Sequence, residues 1–462
     1  MPRLWRRGFR GLAARKVIDM TAHKHLKEIV RARMSKTGES YTTARRHIVQ
    51  QVEILRDSSA SRWHLPGNIA ATTALRILLT AAGVRDPRDG NPLSEAMLFG
   101  IAGGIGMGLA TFSYEKGNFS SFYIAGRHSW SDDLGYLKAA AARFHIQPVV
   151  TEAGGTKAAA THLRDALAEE QPCIAWLDMA GLPHRGMPAI FSGGGYHVVT
   201  VYSVDEDRGT ALIGDLTDAP IEVDTRQLAA ARARIKQFKN RLMTFPASKA
   251  VELSSVVRGG LEACYKGLRQ SGGKGADAMS GLEMLQKWET DLSSSDVTRG
   301  WRKTFPRGGR LWQGLTSIHE YIENYHTGGG LCRPLFAEFL AEASRLDGWS
   351  HLAALSKRYA HLGGAWSDLA LSAIPQQTPA FREVRELSIE RAELRSEGNA
   401  AAAGKIGGVW SRLSELQKAA EKDFPLSESE CADLQRSLQS KVASLREAEF
   451  AAHAAIGEAL GM

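Results

Sequence analysis

The chain has 462 residues, 44% of them hydrophobic and 23% charged, with a formal charge of +8. That composition excludes a disordered, collagen-like or low-complexity chain, and the length suits two folded domains with accessory segments. More than half of the basic excess sits in residues 1–19, where Arg3, Arg6, Arg7, Arg10, Arg15 and Lys16 face only Asp19. The body is close to balanced, so no phosphate-binding surface and no nucleic-acid partner is expected.

Residues 1–19 read as a transit-like basic tail, or as an upstream extension if the true start is Met20. Residues 20–57 form a small helical appendage: Leu26, Ile29 and Val30 share one face, Lys36-Thr37-Gly38 make a turn, and a second helix presents Arg45, Arg46 and His47 as exposed residues. A helix-turn-helix DNA reader is one reading of this pair. A basic docking appendage is the better one, because a lone basic helix rarely makes a base reader.

Residues 58–228 alternate helix and strand patterns, an α+β domain. "PGNIAATTALRILLTAAG" (66–83) reads as a buried helix with a small-residue N-terminus, ending at Gly83. "PLSEAMLFGIAGGIGMGLATFSY" opens with Ser94 as an N-cap and runs into glycines. Those glycines fit neither a P-loop nor a dinucleotide fingerprint, since no lysine follows and no strand precedes; close backbone approach or a turn beside the cleft is the expectation. Residues 157–170 are helical, and "PCIAWLDMA", "GYHVVTVYSV" and "GTALIGDL" are strand-like.

A mostly helical accessory domain (229–395) follows, with glycine turns at 272–275 and 328–330, and then an amphipathic helical tail (396–462). In the tail Ser427 and Glu430 form a capping-box pattern, and Leu434, Leu438, Val442 and Leu445 make a packing stripe. No stretch approaches the ~18 apolar residues of a membrane span. Cys173, Cys264, Cys332 and Cys431 are scattered, so neither a disulfide framework nor a metal site is signalled, and a cytoplasmic protein with reduced thiols is expected.

The chemistry-bearing pair is His197 with Asp215. The strands "YHVVTVYSV" and "TALIGDL" flank "DEDRG" as a hairpin, and pairing symmetric about Glu206 sets Asp215 opposite His197 on one face of the sheet. A carboxylate there can hold the imidazole in one tautomer, as in a catalytic dyad. A half-buried, hydrogen-bonded structural histidine is the plainer alternative, and a one-residue slip in the hairpin would part the two.

"TTALRILLTAAG", "SEAMLFGIAGGIGMG", "IAWLDMAGLPH", "GGYHVVTVYSVDEDRGTALIGDLTD" and "YHTGGGLCRPLFAEFLAEA" resemble, in order, the motifs of the butirosin biosynthesis protein H family. The resemblance runs roughly from residue 60 to residue 395. It implies a papain-like (cysteine-peptidase-like) N-terminal domain followed by the helical domain of unknown function that accompanies it. It also implies acyl transfer, an (amino)acyl group passing from an acyl-carrier-protein thioester to a small-molecule amine acceptor. No resident cofactor is implied, phosphopantetheine arriving on the carrier protein. The resemblance places a His-Cys pair before the "TALR" helix, with the cysteine as nucleophile and a His and an Asp completing the site. His197 and Asp215 match the latter two, whereas Ile69 and Ala70 stand where the His-Cys pair would be.

No alanine forms an acyl-enzyme. Thr72 and Thr73 lie in the first turn, where a hydroxyl normally caps the helix, and His64 and Cys173 are poor substitutes. Ala71, Thr72 and Thr73 mark the helix N-terminus that could hold an oxyanion, and Gly104, Gly106, His184 and Arg333 are further candidates for substrate contact. His326 and Arg333 flank three glycines and could meet an anionic group, though a sharp turn between helices explains them more simply. Three functions follow: acyl transfer by a His197–Asp215 base without a covalent step, an inactive homologue that binds a carrier protein or partner, and, least favoured, a cysteine peptidase.

Overall fold

Short branched and aromatic runs bounded by glycine and acidic turns make the strands, and alanine- and leucine-rich runs between them make the helices. The computed structural model describes residues 26–53, 63–114, 119–248, 252–269, 280–325 and 327–462. The basic tail, Met20, the boundary near residue 58, the turn at 272–275 and His326 lie outside the described residues.

Helices α1 (26–37), α2 (Tyr41–Glu53), α3 (Ala70–Ala81) and α4 (Glu95–Ile101) open the chain. Strands β1 (Ile105–Tyr114) and β2 (Phe119–Arg127) then pair as an antiparallel ribbon. The glycine run after α4 is therefore mostly strand, entered through a turn at Gly103. Next come α5 (Asp133–Arg143), β3 (Val149–Thr151), α6 (Thr156–Leu167), β4 (Cys173–Asp178), β5 (Tyr196–Asp205), β6 (Thr210–Gly214), β7 (Ile221–Asp224), α7 (Thr225–Arg234) and β8 (Leu242–Thr244). Strands β3 to β8 form one antiparallel sheet in the order β3-β8-β4-β5-β6-β7. Strand β8 comes from beyond residue 228, so the sheet borrows from the segment where helices were expected to begin. Helices α8 (Leu253–Arg269), α9 (Glu283–Ser293), α10 (Gly300–Thr304), α11 (Gly309–Glu323), α12 (Arg333–Ala343), α13 (Leu352–Ala373), α14 (Pro379–Glu397), α15 (Ala400–Lys422) and α16 (Glu428–Leu460) complete the described chain. The result is α+β with a helical second half, as expected.

Alternation along β4 and β5 buries both faces of the sheet centre. Ile174, Trp176 and Val198 join α3 in the larger core, while Ala175, Leu177 and Val199 pack beneath α6 and α7. The larger core continues without a break into α11, α12, α13 and α16 through Trp312, Phe336, Trp366 and the stripe Leu438, Val442 and Leu445. The tail helix is thus a core element, started by the Ser427–Glu430 capping box. Among the described residues no helix is long and apolar enough to cross a membrane.

The appendage departs from expectation. Arg45 and Arg46 are buried rather than exposed, and His47 is half-buried. Arg45 pairs with Asp218 beyond β6, and Arg46 donates to Glu338 Oε1 (2.9 Å) and to the Gly328 carbonyl (2.6 Å). Helix α2 therefore docks the appendage onto both halves of the chain, and these arginines have no surface to offer a phosphate.

His319 on α11 makes stability pH-dependent. Burial pushes its imidazole down from 6.5 to about 4, against the pull of Glu320 and with Arg385 and Arg391 adding to the fall. Its folded pKa lies below its unfolded value, so the contribution is complete above pH 6.5 and drains away as pH falls toward 4. The loss across that window should be about 3 kcal/mol. Urea midpoints followed from pH 7 to pH 4 should show wild type losing stability relative to His319→Gln as the pH falls, by up to about 3 kcal/mol; parallel curves would remove His319 from this role.

Candidate active site

Strand β5 leaves a glycine-rich turn, Gly193 to Gly195, and carries His197 as its second residue. Asp178 at the end of β4 clamps that turn, accepting from Ser192 Oγ (2.9 Å) and the Gly193 amide (3.1 Å). Strand β6 ends at Gly214, and Asp215 steps off its end. The two strands do not pair about Glu206. Asp205 faces Thr210, a bulge falls between Val201 and Ser203, and Thr200 faces Gly214. A four-residue loop, closed by Gly209 at φ 65° and by Arg208 N donating to Asp205 Oδ1 (2.9 Å), moves the centre of the hairpin past Glu206. Extended one residue, this register sets Asp215 across from Val199, one pleat repeat from His197 on the same face, and the carboxylate closes the gap diagonally.

The contact is made at 2.6 Å between His197 Nε2 and Asp215 Oδ1. Asp215 accepts three more hydrogen bonds: from the Leu216 amide (2.7 Å), His184 Nε2 (2.8 Å) and Arg185 Nη1 (2.9 Å). Arg185 Nη1 also lies 3.0 Å from His197 Nε2. One ring nitrogen cannot donate to Asp215 and accept from Arg185 at once; the shorter contact to a carboxylate prevails, and Nε2 carries the proton. Burial raises Asp215, yet His197, Arg185 and the hydrogen bond from His184 outweigh it and hold the carboxyl well below its usual range. Burial also lowers His197 more than Asp215 raises it. The pair is a neutral imidazole oriented by a firmly ionised carboxylate, the protonation state of a base at rest.

Helix α3 supplies the facing wall. Glu95 receives the Asn68 and Ile69 amides (2.8 and 2.9 Å) and so fixes the turn into the helix, its charge placed favourably at the N-terminus. Ala70 and Ala71 then line a cavity of about 290 Å³ together with Tyr123, Arg127, Trp130 and His197. The first amides of a helix have no partner within it, and at Ala70 and Ala71 only methyl side chains stand beside them. Thr72 bonds Tyr136 Oη (2.9 Å) and Thr73 bonds Glu95 (3.2 Å), which commits both hydroxyls away from the cavity.

The other expected residues fall elsewhere. His184 lies behind Asp215 rather than toward the cavity, in a separate recess shared with Arg185, Tyr325 and Arg395. Arg333 is fully buried, with Nε 2.6 Å from Glu449 and Nη1 2.8 Å from the Leu331 carbonyl, so it serves the helical core and cannot greet a substrate. Gly104 and Gly106 abut Phe99 and the His128 backbone, and the glycines there permit close packing instead of binding. Cys173 is buried in the sheet, its thiol pushed up to about 12 by burial, and His64 bonds Tyr202 Oη (3.0 Å) and the Thr217 carbonyl (3.1 Å). Sequence reasoning misses Arg185; the proline-started "PHR" turn a few residues past β4 is the local signal that could have found it.

Residues 70–216 match the family described as butirosin biosynthesis protein H, N-terminal, a stretch that opens on Ala70 and closes just past Asp215. Residues 226–397 match the domain of unknown function DUF4872. No curated protein matches the chain. The first match fits a papain-like fold and the second covers the helices that pack against it, so residues 70–216 are similar to the N-terminal domain of the butirosin biosynthesis protein H family and a DUF4872 domain follows.

Proposed function

We propose that this protein moves an (amino)acyl group from an acyl-carrier-protein thioester to a small-molecule amine by direct transfer, without a covalent acyl-enzyme, and that it works in the cytoplasm. The observation that carries the reading is the shared cavity: His197, held from behind by Asp215, and the start of α3 line the same 290 Å³ space. With Nε2 held by Asp215, proton traffic falls to Nδ1. His197 takes a proton from the amine as its nitrogen bonds to the thioester carbonyl carbon. The Ala70 and Ala71 amides face the oxygen on which negative charge builds. The C–S bond then breaks and the thiolate leaves with the proton returned by His197. The phosphopantetheine arm arrives with the carrier, and Ala70 adds no bulk where the thioester must sit.

The test is acyl loss from a panel of aminoacyl-carrier-protein thioesters, followed by mass spectrometry with amine acceptors present. His197→Ala should lower transfer by about 10²-fold or more, the usual worth of a positioned base. Equal rates for wild type and variant would end the proposal. A second reading, a carrier-binding scaffold, draws on the full burial of the His197 side chain and on the four donors converging on Asp215, which suit a structural network. Carrier binding with no acyl loss would favour it.

A further inference from the structure

The recess behind Asp215 has a volume of about 40 Å³, and His184, Arg185, Asn324, Tyr325 and Arg395 stand on its walls with Asp215. That is room for about one or two species the size of a water. Its charges do not balance. Asp215 is served by four donors, Arg185 among them as its ionic partner. Arg391 on α14 is paired with Glu320, which also accepts from Asn324 Nδ2 at 3.2 Å. Arg395 follows one turn later on the same face of α14. The carboxylate that draws on it is Glu320, already spent on Arg391 and Asn324. Three guanidiniums therefore meet two carboxylates, an excess of one positive charge.

The surplus cation is also the accessible one. Arg185 and Arg391 are buried, whereas Arg395 is half-buried and keeps surface on the recess, where a ligand can reach it. Burial and the charges of Arg391 and Arg185 pull its pKa down from 12.5 to about 9, as befits a cation crowded by its own kind. Tyr325, also half-buried, lies in the field of Arg185 and Arg395 and still keeps its phenolic proton, because burial outweighs both cations. One unmatched positive charge, guanidinium donors on an accessible wall and a volume of one or two waters ask for a small anion of single charge.

We propose that this recess binds one monovalent inorganic anion of chloride size, held chiefly by Arg395 with Arg185 beside it. Arg185 runs from the recess to Asp215 and His197, so the anion lies one side chain from the dyad. The binding claim stands apart from any acyl-transfer activity.

The test is chlorine NMR line broadening of the full chain, with sodium chloride replacing sodium gluconate at fixed ionic strength. Wild type should show a saturable component with a Kd of about 1–10 mM, an affinity within reach of a few charge-assisted hydrogen bonds. Bromide should compete for it, and sulfate, larger and doubly charged, should not. Arg395→Met should weaken the component about tenfold or more. Arg208→Met, which removes an exposed arginine of the β5–β6 turn, should leave it unchanged. Anomalous scattering from a bromide-soaked crystal of wild type needs no variant, and it should place a bromide in the recess against Arg395. No saturable component in wild type would mean that the recess holds water alone, and the proposal would fall. It would fall equally if Arg395→Met bound chloride as well as wild type does, or if bromide appeared only on the outer surface.

Discussion

Glu449→Leu should destabilise the fold by about 3–5 kcal/mol, the toll of breaking one side of a buried ion pair. Arg333 and Glu449 are both fully buried, joined at 2.6 Å, and Glu449 also accepts from Trp366 Nε1 at 2.7 Å. The guanidinium lies 5.5 Å from the Trp366 ring centre. Removing the carboxylate leaves a cation in the core between α12, α13 and α16, with the Trp366 ring beside it and the Leu331 carbonyl as its remaining hydrogen-bond acceptor among the described residues. The backbone adds to the constraint: Gly328, Gly329, Gly330, Leu331 and Cys332 all hold positive φ immediately before Arg333, a conformation that non-glycine residues adopt at a cost. Arg333→Met with Glu449→Leu should restore most of the loss, since paired apolar replacements of buried ions are often neutral or better. Denaturant midpoints of the two variants decide the matter: a single variant as stable as wild type, or a double variant no better than the single, would mean the pair is idle.

What the sequence disclosed and what it hid follow the range of the interactions concerned. The span of α3, the Ser94 cap, the capping box before α16 and its leucine stripe are written in residues a few positions apart, and the fold has them where local pattern placed them. The dyad was legible as residue types on neighbouring strands, but the register was not, because the turn length and the bulge near Tyr202 depend on a loop closed by Gly209 and Asp205. Long-range electrostatics were invisible. Arg45 and Arg46 look like surface cations until Asp218 and Glu338 arrive from far along the chain, and Arg333 looks available until Glu449 covers it. For the same reason the sequence suggests His184 as a substrate contact when it faces Asp215, and local pattern does not mark Arg185 beside it.

Ala70→Cys should turn the cavity into a covalent acyl acceptor, with thioester consumption rising about 10³-fold or more, on the scale by which nucleophile removal disables a triad enzyme. Ala70 lines the dyad cavity at the first position of α3, so a thiol there would meet the helix N-terminus, which lowers thiol pKa, and share its space with a neutral imidazole able to take its proton. The added sulfur needs little room in a space of about 290 Å³. Intact-mass measurement after mixing with aminoacyl-carrier-protein thioester should show one acyl adduct on the variant and none on wild type, and His197→Ala in the same background should abolish it. The adduct also divides the two functional readings. If wild type transfers acyl groups while the variant forms an acyl-enzyme on top, direct transfer is the native route and the thiol adds a second one. If only the variant reacts, the cavity admits the thioester but wild type merely holds it, which is the scaffold reading. A folded variant that binds the carrier and stays unmodified would mean that no thioester reaches Ala70, which removes direct transfer at this cavity and leaves the scaffold reading.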